Sequence, residues 1–446
     1  MKNNVRSVCL DILDKIEKNQ SYSNLLLNQA IEKSRLNSKD AALLTEIVYG
    51  TIQRKLTLDY YLSPFLTKAK KLQPWVRQLL RLSLYQMVYL DRVPERAVIH
   101  EAVEIAKHKG HRGISGMVNG VLRNIQRTGI ADPEKISDPI ERISIATSHP
   151  KWLVEKWVQQ YGEEITRDMC EQNLLPPSNT ARVNIQKATV SEVLTMLKQA
   201  GIEAEKGLLS EDAIVIKSGN VAKTTAFKEG YLSIQDESSM LVARALDIKP
   251  GQTVLDACAA PGGKTAHIAE RLLGVGSVMS VDLHDHKVKL IAQQVHRLGL
   301  DNVNAMQGDS RKLHEKFGPE SFERVLVDAP CSGFGVMRRK PDLKYAKTAE
   351  DVQRLANIQL DILEAASQTV KKGGLLVYST CTIDLEENDQ VISTFLRKHA
   401  EFELDTTLSS RMPAVLREHC ESGKIQILSH EYDSDGFFIA TLRKKV

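Results

Sequence analysis

Val325-Leu-Val-Asp-Ala-Pro-Cys-Ser-Gly-Phe-Gly335 carries an apolar run of strand length that ends at Asp328, with Pro330 and Cys331 following at once. A carboxylate and a thiol therefore share one turn. In an open α/β sheet such a turn lies at the carboxyl edge of the strands, where ligands collect. On these residues alone Cys331 is a candidate nucleophile. It is equally a buried structural cysteine, since a free thiol is commonly a small hydrophobe.

Outward from this stretch the pattern repeats. Apolar strand candidates at 253–256, 277–282, 303–307, 324–328 and 374–379 alternate with helical stretches long enough for right-handed crossovers. They predict a doubly wound, largely parallel sheet. The tail adds two strands, Ile425–Leu428 and Gly436–Leu442, around Asp433-Ser-Asp-Gly436.

The strand ends carry the chemistry. After the first comes Asp256-Ala-Cys-Ala-Ala-Pro-Gly-Gly-Lys-Thr265. Its small residues let a ligand approach the backbone, and the helix N-terminus that follows favours a negatively charged group. The spacing fits neither G-x-G-x-x-G nor G-x-x-x-x-G-K-[ST], so neither NAD nor ATP is favoured. Asp282 ends the second strand, where an acid takes the ribose hydroxyls of an adenosine ligand. Asp309, after Gly308, is placed to receive the adenine amino group. Each could be a solvated loop carboxylate. Because Asp256, Asp282, Asp309 and Asp328 close four successive strands, an adenosine cofactor is the economical reading.

The first 131 residues read as helices throughout. Val8, Ile12, Leu13 and Ile16 follow helical spacing, as do Val76, Leu79, Leu80, Leu84 and Met87, then Val118, Val121, Leu122 and Ile125. Asn37 or Ser38 could cap one helix, and Pro94 ends one and starts another. These 131 residues hold 21 Lys and Arg against 11 Asp and Glu, a surplus of 10, although the whole chain is only +4. Such a basic third suits a polyanion, or is simply a solvated helical surface. Asp132, Pro133, Asp138 and Pro139 predict a linker near 132–148. Beyond it, a helix from Trp152, a strand at Thr180–Ile185, a helix at 190–201 and a strand at Ala213–Lys217 form a small α/β unit. That unit could read single-stranded RNA from its sheet or serve as a spacer; no aromatic pair marks the sheet.

With 446 residues and 42% hydrophobic content, the chain can form two or three domains. Its six cysteines show no C-x-x-C spacing, which points to a reducing compartment and against zinc. No secretory segment opens the sequence, and no apolar run approaches the ~18 residues of a membrane span. The expectation is a soluble cytoplasmic protein with no membrane association, no metal and no obligate protein partner.

Two sets of motifs resemble known families. Glu46-Ile-Val-Tyr-Gly50, Leu79-Leu-Arg-Leu-Ser-Leu-Tyr-Gln86 and Val118-Asn-Gly-Val-Leu-Arg123 resemble the RNA-binding helical domain of NusB. Cys258-Ala-Ala-Pro-Gly-Gly-Lys264, Gly308-Asp309, Asp328-Ala-Pro-Cys-Ser332 and Ser379-Thr-Cys-Thr382 resemble the S-adenosylmethionine-dependent RNA cytosine-C5 methyltransferases. Together with Gln235-Asp-Glu-Ser-Ser239 the resemblance spans nearly the whole chain. It implies an all-α NusB-like bundle (1–132), a small α/β linker or RNA-recognition domain (149–235) and a class I, Rossmann-like α/β methyltransferase domain (236–446).

The chemistry explains why two thiols are useful. Carbon 5 of cytosine is too weakly nucleophilic to take a methyl group unaided, so a thiolate adds to carbon 6 and turns the ring into an enamine. After methylation the adduct must lose its C5 proton and expel the sulfur. A free thiol is only slightly ionised at neutral pH, so the site should favour the thiolate. An acid should assist N3, and Asp328 is suitably placed. The resemblance implies Cys381 as the nucleophile and Cys331 as the residue that helps release product. It implies S-adenosyl-L-methionine held by Cys258, Ala259, Ala260, Pro261, Gly262, Gly263, Lys264, Asp282, Asp309 and Asp328, with Lys264 also near the base. The target cytosine must arrive unpaired. Arg338-Arg339-Lys340 could hold the RNA backbone or be only a basic loop. The implied partner is 16S rRNA, free or in an assembling small subunit. The rivals are a tRNA cytosine-C5 methyltransferase and a non-catalytic RNA-binding, antitermination-type factor.

Overall fold

The computed structural model describes residues 4–19, 23–34, 36–67 and 72–446. It divides into two compact units, Met1–Leu175 with Met337–Lys347, and Pro176–Val336 with Thr348–Val446.

The first unit is helical: α1 (Val5–Asn19), α2 (Ser23–Ser34), α3 (Ser38–Gln53), α4 (Lys55–Leu62), α5 (Pro74–Tyr89), α6 (Glu95–Lys109), α7 (Arg112–Thr128), α8 (Pro139–Thr147), α9 (Lys151–Tyr161) and α10 (Glu163–Gln172). Asn37 caps α3, its side chain accepting the Asp40 N–H at 2.9 Å. The stripes read from spacing meet in one core that includes Leu13, Leu44, Ile47, Leu79, Leu84, Val118 and Leu122. Helix α5 is buried on most sides. Its Arg81 is accommodated there by a two-pronged hydrogen bond to Asp59 at 2.8 and 2.6 Å.

The expected linker at 132–148 is not a linker. Asp132 and Asp138 are N-caps with Pro133 and Pro139 in the first turn behind them, so each Asp-Pro pair starts a helical turn rather than breaking one. Helix α8 lies on α4, with Thr57 Oγ1 donating to the Ile145 carbonyl at 2.6 Å and the Leu56 N–H to Ser148 Oγ at 2.8 Å. The segment Met337–Lys347 is built into this unit. Lys344 is fully buried and donates to the Gln53 carbonyl at 2.8 Å, and burial lowers its pKa to about 7. The Tyr345 hydroxyl donates to the Ser148 carbonyl at 2.9 Å. Arg338 is buried as well, so of the basic trio only Lys340 is fully exposed.

The second unit opens with a four-stranded antiparallel sheet: β1 (Asn179–Val183), β2 (Glu203–Lys206), β3 (Ala213–Ser218) and β4 (Leu232–Ile234), in the order β2-β3-β1-β4. Alternation along β1 sends Ala181 and Val183 into a core with α11 (Val190–Gln199). Arg182 points the other way, fully buried, and grips Glu270 at 3.0 and 2.7 Å and the Gly263 carbonyl at 3.0 Å. At Arg182 the second face of β1 is therefore closed against the helix that carries Gly263 and Glu270.

Helix α12 (Glu237–Ala245) leads into β5 (Thr253–Asp256), α13 (Gly263–Arg271), β6 (Ser277–Asp282), α14 (Asp285–Leu298), β7 (Val303–Gln307), β8 (Phe322–Asp328), α15 (Ala349–Ser367), β9 (Val370–Thr380) and α16 (Asp389–Lys398). The chain closes with β10 (Phe402–Leu404), β11 (Cys420–Glu421), β12 (Lys424–Ile427) and β13 (Phe437–Lys444). The sheet order is β11-β12-β13-β9-β8-β5-β6-β7, with β10 paired to β13. Strands β5 to β9 are mutually parallel, and the tail strands are antiparallel. All five expected parallel strands are present. The short strands β2, β4, β10 and β11 escaped sequence reading because two to four residues show no period. Strand order reverses beside β5, and a crevice opens there at the carboxyl ends of the strands.

Candidate active site

One arm of the crevice is the turn from β5 to α13. Asp256 is fully buried, and its Oδ2 accepts the Thr265 hydroxyl at 2.7 Å. Burial, with a smaller push from the charge of Asp328, raises its pKa to about 7 despite that bond. Oδ1 is buried with no hydrogen-bond partner among the described residues. Gly262 sits at φ 101°, where a Cβ would stand 3.2 Å from the Ile291 Cα, and a Cβ on Gly263 would meet nothing within 4 Å. The helix N-terminus is thus open to a ligand. Burial pushes up the Cys258 thiol, with Asp256 and Asp328 adding to the effect.

At the end of β6, Asp282 accepts the His284 N–H at 3.1 Å and the Ala260 N–H at 3.3 Å, which ties it to the glycine turn. Asp309 follows β7 and accepts the Arg311 N–H at 3.0 Å. The Arg311 guanidinium, 2.6 Å away, holds its pKa below the usual carboxylate range. A cavity of 330 Å³ lies beside it, lined by Val281, Gly308, Asp309 and Leu313 among others.

The other arm is made by β8 and β9. Their parallel register sets Asp328 against Ser379. Asp328 accepts the Ser379 hydroxyl at 2.7 Å and Lys264 Nζ at 2.8 Å. Lys264 stands 5.1 Å over the Phe437 ring. Burial works against its ammonium, but the charge and hydrogen bond of Asp328 outweigh burial and raise its pKa, and Cys381 contributes in the same direction. Beyond the paired residues the two turns bring Cys331 Sγ and Cys381 Sγ to 3.4 Å. The hydrogen bond with Cys381, then burial, pushes the Cys331 thiol well above its ordinary value. The four residues expected to do the chemistry, Cys381, Cys331, Asp328 and Lys264, therefore meet. Asp328, also expected to hold cofactor, has both oxygens engaged on the thiol side.

Sequence reading missed the buried braces. The Gly335 N–H donates to the Cys381 carbonyl and the Gly436 N–H to the Gly335 carbonyl, each at 2.9 Å. A Cβ on Gly335 would fall 1.9 Å from the Gly436 carbonyl oxygen. Glu387, Gln359 and Tyr378 form a hydrogen-bonded cluster behind the thiols. No local pattern announces them, because each lies far along the chain from at least one partner.

A doubly wound sheet with a glycine turn at its switch point, acid-ended strands and a thiol pair defines a class I methyltransferase-type domain. Three family models match this chain: the NusB family over residues 3–127, the RsmF/B-like ferredoxin-like domain over 149–222, and 16S rRNA methyltransferase RsmB/F over 243–443. The chain is 55% identical to the probable ribosomal RNA small subunit methyltransferase B of Bacillus subtilis (strain 168), covering 100% of this chain and 99% of that one. It is 34% identical to ribosomal RNA small subunit methyltransferase B of Serratia proteamaculans (strain 568), covering 100% of both. Among solved structures, PH0851 superposes with a TM-score of 0.83 at 27% identity, over 100% of this chain and 99% of that one. A methyltransferase homologue from Pyrococcus horikoshii gives 0.59 at 26% identity, over 69% of this chain and 100% of that one. The chain belongs to the 16S rRNA methyltransferase RsmB/F family.

Proposed function

We propose that this S-adenosylmethionine-dependent rRNA methyltransferase modifies carbon 5 of a cytosine in 16S rRNA through a covalent bond between Cys381 and carbon 6. The observation that carries this reading is the pair of thiols 3.4 Å apart beside the Lys264–Asp328 ion pair. Proposed with it are the three-domain division (1–132, 149–235, 236–446), a cytoplasmic location and 16S rRNA, free or in an assembling small subunit, as the partner. No helix among the described residues is long and apolar enough to cross a membrane, and no metal-holding cluster of His, Cys, Asp or Glu occurs among them.

The residues present fit the cofactor. The glycine turn leaves room where a Cβ would intrude, and the α13 N-terminus suits a carboxylate. Asp282 would take the ribose hydroxyls and Asp309 the adenine amino group. When bound, S-adenosylmethionine supplies an electrophilic methyl group on a sulfonium.

The chain's own residues divide the remaining work. The Lys264 ammonium and Cys381 attract one another, which favours the Cys381 thiolate for addition to carbon 6. N3 of cytosine starts without a proton and takes one up from water as the thiolate adds to carbon 6 and electrons move onto the ring. Asp328, which accepts from Ser379 and Lys264, is the carboxylate placed to accept the new N3–H, and that proton returns to water when Cys381 leaves. Cys331 keeps its proton while Cys381 is an anion beside it. Once the Cys381 sulfur is bonded to carbon 6, that restraint vanishes. Cys331 can then ionise and take the C5 proton, and Cys381 leaves as a thiolate.

Labelled methyl transfer to 16S rRNA and a denaturing gel test the assignment together. Cys381→Ala is expected to lose both methylation and the protein–RNA adduct, whereas Cys331→Ala should accumulate the adduct. The opposite pattern would reverse the two roles.

A further inference from the structure

Glu387 has no part in the chemistry above, yet it joins the two thiol-bearing turns. Its side chain is fully buried. One oxygen accepts the Ser332 N–H at 2.8 Å and Gln359 Nε2 at 2.9 Å, and the other accepts the Ser332 hydroxyl. Ser332 follows Cys331. The same hydroxyl meets that of Thr382, the residue after Cys381, at 2.8 Å. Gln359 also donates to the carbonyl of Pro330, the residue before Cys331, at 2.9 Å. Residues on both sides of Cys331, and one beside Cys381, are thereby fastened to a single carboxylate.

A buried carboxylate is costly unless donors fill its lone pairs, and an apolar brace could join two turns without that cost. The charge therefore calls for a use. Burial raises the pKa of Glu387, helped by the charge of Asp384, while the hydrogen bonds from Ser332 and Gln359 favour its charged form. That charge opposes ionisation of Cys331, and of the buried Tyr378 as well. From the strand side, Lys264 attracts Cys381. Charges of opposite sign thus flank the two thiols. We infer that Glu387 is a positioning residue that sets the order of the pair: it fixes the Cys331 turn against the Cys381 turn, and its charge keeps Cys331 the neutral member. This inference rests on the assignment of Cys381 as nucleophile.

Glu387→Gln in the full-length protein keeps the shape and removes the charge. Limited alkylation by iodoacetamide, read by peptide mass spectrometry, reports which thiol ionises first; steady-state kinetics separate kcat from the KM for RNA. In the wild type, Cys381 should be alkylated first, by about tenfold or more. In Glu387→Gln the preference should narrow toward equality and kcat should fall about 10- to 100-fold, with the KM for RNA within about twofold. Ser332→Ala, which keeps the charge but removes the hydroxyl link, should lower kcat about threefold to tenfold and leave Cys381 preferred. An unchanged alkylation preference and kcat in Glu387→Gln overturn the inference. If a thermal melt shows that variant unfolded, a wild-type kcat in Ser332→Ala overturns it instead. Preferential alkylation of Cys331 in the wild-type protein would defeat the nucleophile assignment itself, a result visible before any variant is made.

Discussion

The two arms of the crevice are built on opposite principles. Around β5, β6 and β7 the acids lean on partners a few residues further along the chain: Asp256 on Thr265, Asp282 on His284, Asp309 on Arg311. Around β8 and β9 the groups are held by bonds between segments far apart in the chain: Lys264 by Asp328, Ser332 by Glu387, Gly335 by the backbone of Gly436. A cofactor can be bound by local turns that leave donors and acceptors facing a cleft. Covalent chemistry needs two sulfurs held within an ångström or so, and local turns cannot impose that. The difference teaches that the cofactor arm should tolerate change by losing affinity, whereas the thiol arm should lose rate.

Asp328→Asn should break the comparison most sharply if it is wrong. The amide cannot carry the charge that assists N3, and it removes the partner that keeps Lys264 charged. Single-turnover methyl transfer should slow about 10²- to 10³-fold, with the KM for S-adenosylmethionine within about twofold. A large rise in that KM, with the rate preserved, would move Asp328 to the cofactor arm.

Asp309→Ala should show the reverse. The KM for S-adenosylmethionine should rise about tenfold, the size expected when one hydrogen bond to a charged group is removed, with little change in kcat at saturation. The adduct between Cys381 and RNA should still form, since attack on carbon 6 draws on the other arm. A variant that binds cofactor normally would remove Asp309 from the adenine site.

The same contrast explains what the sequence made legible. Strands β5 to β9 were readable because buried parallel strands are continuous apolar runs, and the acids that end them are local to those runs. The cysteines were visible as motifs, but their approach to 3.4 Å depends on the β8–β9 register, and only the resemblance to a family ordered their roles. Glu387, Gln359 and Tyr378 were invisible because a buried brace looks like any polar residue until its partners fold onto it. Asp132-Pro133 and Asp138-Pro139 were misread because an N-cap followed by proline and a chain break share one spelling. Lys344, in a basic stretch past Cys331, gave no sign that it would be buried in the helical unit.

The smallest expected effect lies outside both arms, on α7. Arg112, Arg123 and Arg127 are exposed along this helix, opposite its buried Val118, Leu122 and Ile125. Deleting residues 1–131 would be a poor probe of RNA binding, because it would remove Thr57 and Gln53, the partners of the Ile145 carbonyl and of the buried Lys344. Charge reversal is cleaner. Arg123→Glu with Arg127→Glu should weaken binding to 16S rRNA and reduce the slope of log affinity against log salt by about one for each phosphate no longer neutralised. Neither the methyl-transfer rate on bound RNA nor the KM for S-adenosylmethionine should move. An unchanged salt slope would mean that the basic surplus of the helical unit is solvated surface, and that RNA is gripped elsewhere.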